Sequence, residues 1–298
     1  TSIDDGAGKI PSPYRISTPE ADLLYSFLDR CRANRMEYVI IEATSHALSE
    51  EYSRLYGLTF EIGIITTLSG DHIEFHGSRE AYLEAKLSLL GMIRPRGHFI
   101  TSVENRELDR CLKTLDSSIH PHILGLDHPY TIQTCDLHSV RGTFEGRPFT
   151  VHLGLEVFAT NTLLALLASS VITAKNPVEL LPHLSNVRPL KGRMQAVPND
   201  KGVLVFIDYA HTIGAYEHLF AFIKQVRGTS RVITVMGAAG GRDKKKRSVL
   251  GGIASKESDI LILTEEDPVF EELSAINGMI RNGIASKSCR VLEIDDRK

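Results

Sequence analysis

The side chains best suited to chemistry in this sequence lie between residues 39 and 90. Glu42 directly follows the apolar run Val39–Ile41, and His72 closes the segment that begins with a second apolar run, Ile62–Leu68. Short apolar runs of this kind predict buried parallel strands, whose C-terminal ends meet at a crevice where ligands bind. Carboxylate oxygen and neutral imidazole nitrogen are ordinary ligands of divalent cations. The pattern therefore predicts a cation site that includes Glu42 and His72.

Each of these residues also has an ordinary structural interpretation. A carboxylate just past a strand often caps a helix, and a histidine in a turn is often solvated or locally hydrogen-bonded. Lys86 lies in a following stretch with helical spacing, where a lysine is usually solvated. It is the combination of Glu42, His72 and Lys86 within one stretch that favours a site.

Three motifs carry a resemblance to a known family: I-E-A-T-S-H-A-L at 41–48, T-L-S-G-D-H-I-E-F-H-G at 67–77 and E-A-Y-L-E-A-K at 80–86. They resemble the central domain of the Mur ligases, most closely the tripeptide synthetase branch. In that family the lysine matching Lys86 is carbamylated by CO2, which turns a cation into an anionic metal ligand. The resemblance implies a Mg2+ site formed by Glu42, His72 and carbamylated Lys86, with Lys86 as the catalytic residue. A carbamate oxygen is a hard, negative ligand, whereas an ammonium group would repel Mg2+.

The resemblance also implies contacts with the substrate UDP-MurNAc-L-Ala-D-Glu. The candidate substrate-binding residues in this half of the chain are Ser17, Thr18, Thr44, Ser45 and Arg54. The S-T-P motif at 17–19 matches a T-T-P motif whose hydroxyl groups contact the nucleotide-sugar peptide in the family. Thr18 is also predicted to be a helix N-cap, with Pro19 in the first turn. A guanidinium fork such as that of Arg54 suits a carboxylate or phosphate, and an ordinary surface arginine is the alternative.

The second half of the sequence predicts a further α/β domain. After the linker candidate Val187–Gly192, strands and helices alternate. The predicted strands are Val203–Ile207, Val232–Met236, Ile260–Leu263 and Arg290–Ile294. This half resembles the Rossmann-like C-terminal domain of the Mur ligases. The predicted fold class is therefore α/β: a Mur ligase central domain at 1–188, a mostly parallel sheet flanked by helices with antiparallel strands at one side, followed by a C-terminal domain at 189–298.

Four residues are candidates for ATP binding. The family uses residues that match Arg193 in G-R-M and Asp208 in D-Y-A-H-T for ATP, and His211 is a further candidate. Asp208 ends a predicted strand, a position from which a ribose hydroxyl group can be held. Asn161 lies in the predicted buried helix Leu155–Ile172. It matches an asparagine that contacts adenine in the family, and it is equally compatible with an ordinary helical position.

The loop G-A-A-G-G-R-D-K-K-K-R at 237–247 lies between a predicted strand and a predicted helix. Its glycines let the backbone approach an anion near a helix N-terminus. By resemblance, Arg242 contacts the incoming amino acid. The family's D-N-P-R selector for meso-diaminopimelate appears here as E-D-P-V at 266–269, which makes Asp267 a substrate candidate. Because Val269 replaces the arginine, lysine, ornithine or another amino acid is favoured over diaminopimelate.

Bulk properties exclude some classes of protein. The 298 residues carry a net charge of -3, which argues against a general nucleic-acid binder. The four cysteines form no C-x-x-C pair, which favours a reducing cytoplasm over a disulfide framework or a zinc site. The longest apolar segment, around Thr162–Ile172, is short for a membrane span. We expect a cytoplasmic monomer without membrane or nucleic-acid partners.

The resemblance implies ATP-dependent amide synthesis through an acyl phosphate. The family's phosphate-binding G-T-N-G-K-T loop does not occur in the sequence, so we expect an internal part of a longer enzyme that does not turn over ATP by itself. Two alternatives remain open. One is another amide ligase of the superfamily, such as a folylpolyglutamate or cyanophycin synthetase. The other is a non-catalytic binding paralogue that kept the scaffold.

Overall fold

The computed structural model describes residues 2–11, 17–68, 73–285 and 288–297. The chain folds as two compact units, 1–127 and 128–298. All four cysteines are free thiols, in agreement with the sequence prediction. The two units are defined by which residues pack together, and their boundary lies between Asp127 and His128. The predicted domain division at 188/189 is therefore not tested and remains a prediction.

The first unit combines a small hairpin, a parallel sheet and five helices among its described residues. In chain order its elements are β1 (Ser2–Asp4), β2 (Lys9–Pro11), α1 (Ala21–Ala33), α2 (Ser45–Leu48), β3 (Phe60–Ile64), α3 (Ile73–His76), α4 (Arg79–Leu87), β4 (Ile93–Ser102), α5 (Leu108–Thr114) and β5 (His120–Leu124). Strands β3, β4 and β5 pair in parallel, in that order, with β4 in the centre. Leu83, Leu90 and Phe99 lie in the hydrophobic core of this unit.

The strand predicted at Val39–Ile41 does not form. Residues 37–44 have no strand pairing, and the side chain of Ile40 is 94% exposed. An apolar run becomes a strand only where a neighbouring strand satisfies its backbone groups, and none pairs with this segment among the described residues. The second predicted strand, Ile62–Leu68, is confirmed in part, since β3 covers Phe60–Ile64.

The second unit begins with an antiparallel sheet. Its elements are β6 (Tyr130–Cys135), β7 (Val140–Phe144), β8 (Arg147–Val151), α6 (Glu156–Thr173), α7 (Pro177–Leu180), β9 (Gln195–Ala196), β10 (Phe206–Ile207), α8 (Ile213–Val226), β11 (Ile233–Met236), α9 (Lys245–Glu257), β12 (Ile260–Leu263), α10 (Leu273–Arg281) and β13 (Arg290–Glu293). Strands β6–β8 form a sheet of their own rather than the flank of a parallel sheet. Glu145 and Gly146, both with positive φ, make the two-residue turn between β7 and β8, as a hairpin twist requires.

The predicted strand–helix alternation near the C-terminus is largely confirmed. Strands β11, β12 and β13 pair in parallel in chain order, and Leu250, Leu261 and Ile280 lie in the core beside them. The exception is the predicted strand Val203–Ile207. Only Phe206–Ile207 pairs, antiparallel with β9, and Val203–Val205 are exposed.

Helix α6 covers Glu156–Thr173 and is longer than the apolar segment Thr162–Ile172, which was judged short for a membrane span. Among the described residues it is the one helix that is long and apolar enough to cross a membrane, judged by length and composition alone. A core helix of a soluble protein passes the same test. Ala159, Leu163 and Leu167 are buried along one face of α6, so tertiary packing accounts for part of its apolar character.

Candidate functional site

A buried hydroxyl group organises the segment that contains Glu42. Thr18 is fully buried, and its hydroxyl donates to the main-chain oxygen of Glu42 at 2.5 Å. The same oxygen atom, Oγ1, lies 3.1 Å from the Thr44 hydroxyl and accepts from the Thr44 amide at 3.2 Å. The predicted N-cap role of Thr18 is wrong, because α1 begins at Ala21 with Glu20 at the N-cap position. The side chain instead crosses to the turn after Glu42.

Helix α4 brings Lys86 to the same segment. Ser78 caps the helix by accepting from the Ala81 amide at 3.1 Å, the usual role of a serine just before a helix. Tyr82 and Leu83 bury one face of α4, which fixes the direction of the half-exposed Lys86. The Lys86 amine donates to the main-chain oxygen of Ala43 at 3.1 Å. Lys86 therefore contacts the residue next to Glu42 in the sequence.

The side chains of Glu42 and Lys86 fit a Mg2+ ion only if the Lys86 amine is carbamylated. Glu42 is exposed and offers carboxylate oxygens, but an ammonium group on Lys86 would repel the ion. Conversion of that amine to a carbamate would supply the second hard ligand. His72, the third predicted ligand, lies outside the described residues. As the side chains are placed in the part of the chain that the structure describes, no group of three or more His, Cys, Asp or Glu is arranged to hold a metal.

The predicted substrate residues occupy different environments. Thr44 caps α2 by accepting from the Ala47 amide at 3.3 Å, and Ser45 is buried in the first turn of that helix. Ser17 is exposed.

Arg54 is buried and is not an ordinary surface arginine. Its Nε and Nη2 atoms donate to the two Glu20 carboxylate oxygens at 3.0 and 2.6 Å, and Nη1 donates to the Thr18 main-chain oxygen at 3.1 Å. The guanidinium group also lies over the Tyr52 ring, 4.7 Å from its centroid. Arg54 thus holds the Thr18–Glu20 turn. The sequence analysis did not identify Glu20, although an acid two residues after Thr18 is a natural partner for an arginine.

In the second unit, Asp208 and Arg193 lie close together. The Asp208 carboxylate accepts from the Met194 amide and the Ala210 amide, each at 2.8 Å, so it ties β10 to the turn that carries Arg193. The Arg193 guanidinium lies 5.0 Å from the centroid of the exposed Tyr209 ring. The His211 Nδ1 atom lies 3.0 Å from the Tyr209 main-chain oxygen. Three of the four predicted ATP residues therefore share one neighbourhood.

A small cleft opens beside Arg193. Its lining includes His138, His152, Phe158, Arg193 and Met194. The exposed Asn161 lies three residues after Phe158 on α6, which puts the two residues on the same side of the helix. The cleft therefore combines an aromatic wall, imidazoles and a guanidinium group, which suit a flat, anionic ligand such as a nucleotide.

Two loops meet at the C-terminal ends of β11 and β12. Arg242 and Asp267 are both exposed, one on each loop. The Gly240 amide donates to the Asp267 main-chain oxygen at 2.7 Å. A Cβ atom at Gly240 would lie 1.9 Å from the Pro268 main-chain oxygen, so only glycine permits this approach. The structure thus brings together the two segments that carry the predicted amino-acid contacts.

A buried ion pair fixes these loops. Arg247 is 1% exposed, and its Nη1 and Nη2 atoms donate to the Glu271 carboxylate at 2.8 and 2.9 Å. Glu271 also accepts from the Gly241 amide at 2.8 Å and pairs with Lys244 at 3.2 Å. The Arg247 hydrogen bonds, together with that amide, hold the pKa of Glu271 far below its usual value. The sequence analysis did not identify Glu271, because no local pattern indicates a partner so distant in the chain.

The chain is similar to known families and proteins over most of its length. The model described as the Mur ligase middle domain matches residues 4–168, and the Mur ligase glutamate ligase domain matches residues 192–298. A UDP-N-acetylmuramyl-tripeptide synthetase of Borreliella burgdorferi is 32% identical over 297 residues, covering 96% of this chain and 58% of that protein. A UDP-N-acetylmuramoyl-L-alanyl-D-glutamate–2,6-diaminopimelate ligase of Bacteroides thetaiotaomicron is 31% identical over 296 residues, covering 97% and 60%. The chain thus spans about three fifths of the length of these relatives.

Solved structures share the fold. A UDP-N-acetylmuramoyl-L-alanyl-D-glutamate–2,6-diaminopimelate ligase superposes with a TM-score of 0.61 at 25% identity, covering 97% of this chain and 61% of the other. A folylpolyglutamate synthase of Mycobacterium tuberculosis, complexed with ADP and AMPPCP, gives a TM-score of 0.70 at 13% identity, with coverages of 92% and 63%. MurF of Thermotoga maritima in complex with ADP gives 0.63 at 16% identity, with coverages of 83% and 56%.

Proposed function

Because the chain belongs to the Mur ligase family, we propose that it carries the central and acceptor-binding parts of an ATP-dependent ligase. The ligase adds an amino acid to UDP-MurNAc-L-Ala-D-Glu in peptidoglycan synthesis. The observation that carries this proposal is the contact between the Lys86 amine and Ala43, beside Glu42. This contact joins the motif at 41–48 to the motif at 80–86, and the family resemblance assigns a Mg2+ ligand to each of them.

The proposed Mg2+ site consists of Glu42, His72 and carbamylated Lys86. The Lys86 amine adds to CO2 and loses one proton, which gives an anionic N-carboxylate. When bound, Mg2+ would neutralise negative charge on the reacting phosphoryl group. The Thr18 hydroxyl holds the main chain from the Glu42 carbonyl to Thr44, and we propose that this orients the Glu42 carboxylate. Ser17, Thr44, Ser45 and Arg54 are the other proposed substrate contacts.

ATP is proposed to bind at the neighbourhood of Arg193 and Asp208. The Asp208 carboxylate accepts two amides and keeps the turn at Met194 in position. Arg193 and His211 flank the Tyr209 ring and suit the phosphate or ribose groups. Asn161 is proposed to contact adenine from the α6 side of the cleft.

In the proposed reaction these residues position the reactants and stabilise charge. The γ-phosphoryl group of ATP passes to a substrate carboxylate, which gives an acyl phosphate and releases ADP. The amine of the incoming amino acid attacks the acyl carbon, and phosphate leaves from the tetrahedral intermediate. Arg242 is proposed to hold the carboxylate of the incoming amino acid, with Asp267 beside it. Since Val269 offers no charge to a second carboxylate, lysine, ornithine or another amino acid is proposed as the acceptor rather than diaminopimelate.

We propose a cytoplasmic monomer as the working form. A reaction that consumes ATP and a nucleotide-linked peptide suits the cytoplasm, and the -3 net charge gives no broad attraction to nucleic acid.

The experiment uses the protein expressed from its full reading frame. Phosphate release is measured with ATP, Mg2+, UDP-MurNAc-L-Ala-D-Glu and each of lysine, ornithine and diaminopimelate. Parallel reactions offer folate plus glutamate, and cyanophycin plus its amino acids. Turnover only with the muramyl dipeptide supports the proposal. Turnover only with another acceptor contradicts it, and a protein that binds UDP-MurNAc-L-Ala-D-Glu without turnover is a binding paralogue.

A Lys86→Ala variant tests the role of the lysine in the same assay. We expect at least about a hundredfold lower turnover, because charge stabilisation of the transition state is lost. Added short carboxylic acids should restore part of the activity if the missing group is a carbamate. The exposed Lys201→Ala variant is the matched control and should retain full turnover.

A further inference from the structure

Three histidines lie together on the parallel sheet of the first unit, away from the segment with Glu42 and Lys86. The β4–β5 register pairs His98 with His120, and His122 follows on the same face of β5. The His98 Nδ1 atom lies 2.9 Å from the His122 Nε2 atom. The His98 ring centroid lies 5.2 Å from that of His122 and 5.5 Å from that of His120.

The contact between His98 and His122 requires an unprotonated nitrogen. Two imidazoles that share one N–H···N hydrogen bond need a lone pair on one of the two atoms, so the facing nitrogens cannot both carry protons. Burial, and secondarily the charge of His120, lower the pKa of His98. Glu61 opposes this shift and Arg94 reinforces it, and these two side chains form an ion pair next to the cluster. The neutral ring of His98 is thus favoured at physiological pH, which is the form that binds metals.

We propose that His98, His120 and His122 bind a divalent transition-metal ion of the zinc class. Imidazole nitrogen suits Zn2+, Ni2+ and Cu2+, whereas Mg2+ prefers oxygen ligands, so this site differs in chemistry from the one proposed at Glu42. The site is not preformed, because the described residues contain no group of three ready to hold an ion. Two facing nitrogens bound tetrahedrally at Zn–N distances near 2.1 Å would be about 3.4 Å apart.

The adjustment that closes the site is small. His98 and His122 must separate by about half an ångström from their present contact to reach tetrahedral spacing. His120 is exposed and can rotate its ring towards the pair without leaving a buried position. The bound ion would join β4 to β5 by side chains as well as by backbone hydrogen bonds, and so stabilise the fold.

The test uses tag-free protein from the full reading frame, because a histidine tag would bind the same metals. Zn2+ binding is measured by calorimetry, and Co2+ binding by its visible absorption. We expect binding of one ion per chain that His98→Ala, His120→Ala and His122→Ala each weaken by at least about tenfold. His218→Ala, an exposed histidine on α8, is the control and should bind as the unmodified protein does. Equal binding by the unmodified protein and any of the three cluster variants overturns the three-ligand site.

A measurement on the unmodified protein keeps the proposal falsifiable if a variant fails to fold. Histidine modification by diethyl pyrocarbonate is mapped by peptide mass spectrometry with and without Zn2+. Protection of the peptides with His98, His120 and His122, but not of the peptide with His218, supports the site. Unchanged modification at the cluster overturns it.

Discussion

Thr18 shows how much one hydroxyl group determines at the candidate site. It is fully buried and is shared between the Glu42 main-chain oxygen and Thr44. Thr18→Val keeps the shape but removes the hydroxyl group, so the Glu42 main-chain oxygen loses its donor and the Thr44 amide loses its acceptor. We expect the free energy of unfolding to fall by about 1–3 kcal/mol, measured by urea denaturation. Thr18→Ser retains the hydroxyl group and should lose less, and an unchanged unfolding midpoint for Thr18→Val would contradict this role.

Arg54 and Glu20 form the second residue-scale test. A lysine at position 54 keeps the charge but cannot reproduce the two parallel hydrogen bonds. Glu20 is about half exposed, which screens the pair, so we expect Arg54→Lys to lower stability by only about 1 kcal/mol. The effect on function should be larger, because the Thr18–Glu20 turn loses its anchor. The affinity for UDP-MurNAc-L-Ala-D-Glu, measured by calorimetry, should drop, and Arg32→Lys on the exposed face of α1 should leave it unchanged.

The sequence could predict which residue types matter at this scale, but not their partners. Ser78, for example, is a serine directly before an apolar repeat, a pattern typical of the helix cap that it forms. Glu20 and Glu271 were not identified, because their arginine partners are 34 and 24 residues away in the chain. A long-range pair depends on tertiary folding, which no local spacing encodes.

At the scale of elements, the Arg247–Glu271 pair makes the stability of the two loops after β11 and β12 depend on pH. The carboxyl group of Glu271 has an ordinary pKa of 4.5 when unfolded, and Arg247 lowers this value strongly in the folded chain. The stabilisation is therefore complete above about pH 5 and is lost as the pH falls towards the folded pKa.

This acid sensitivity is measured by urea midpoints between pH 3 and pH 7. Glu271→Gln should unfold more easily at pH 7, and its difference from the unmodified chain should narrow steadily as the pH falls from about 5 to about 3. The exposed Glu265→Gln is the control and should follow the unmodified chain. Parallel curves for the unmodified chain and Glu271→Gln at every pH would contradict the pair's role.

Elements with a complete pattern were predicted well, and incomplete ones were not. Helices α4 and α8 carry apolar residues at helical spacing, α6 is a long apolar segment, and β12 is a short apolar run bordered by polar residues, so the local pattern indicates each element. The runs at Val39–Ile41 and Val203–Val205 have the same composition but no paired neighbour among the described residues. Composition predicts the capacity to form a strand, whereas pairing decides whether it does.

At the scale of the whole molecule, the linker prediction can be tested by proteolysis. Arg188 and Lys191 are exposed in the predicted linker Val187–Gly192, so trypsin should cut there early. Leu155, Met194 and Phe222 lie in one buried cluster that joins residues on both sides of the cut. The nicked chain should therefore elute as one species in size-exclusion chromatography and separate only in denaturant. Early separation in native buffer would contradict this cohesion.

Gly240 limits how the two loops after β11 and β12 can be engineered. Two backbones touch there without any intervening side chain, since a Cβ atom would overlap the Pro268 main-chain oxygen. Gly240→Ala would push the two loops apart and move Arg242 away from Asp267 without altering any charge. Efforts to change the proposed amino-acid specificity should therefore vary the residues on either side of this backbone contact and leave Gly240 itself unchanged.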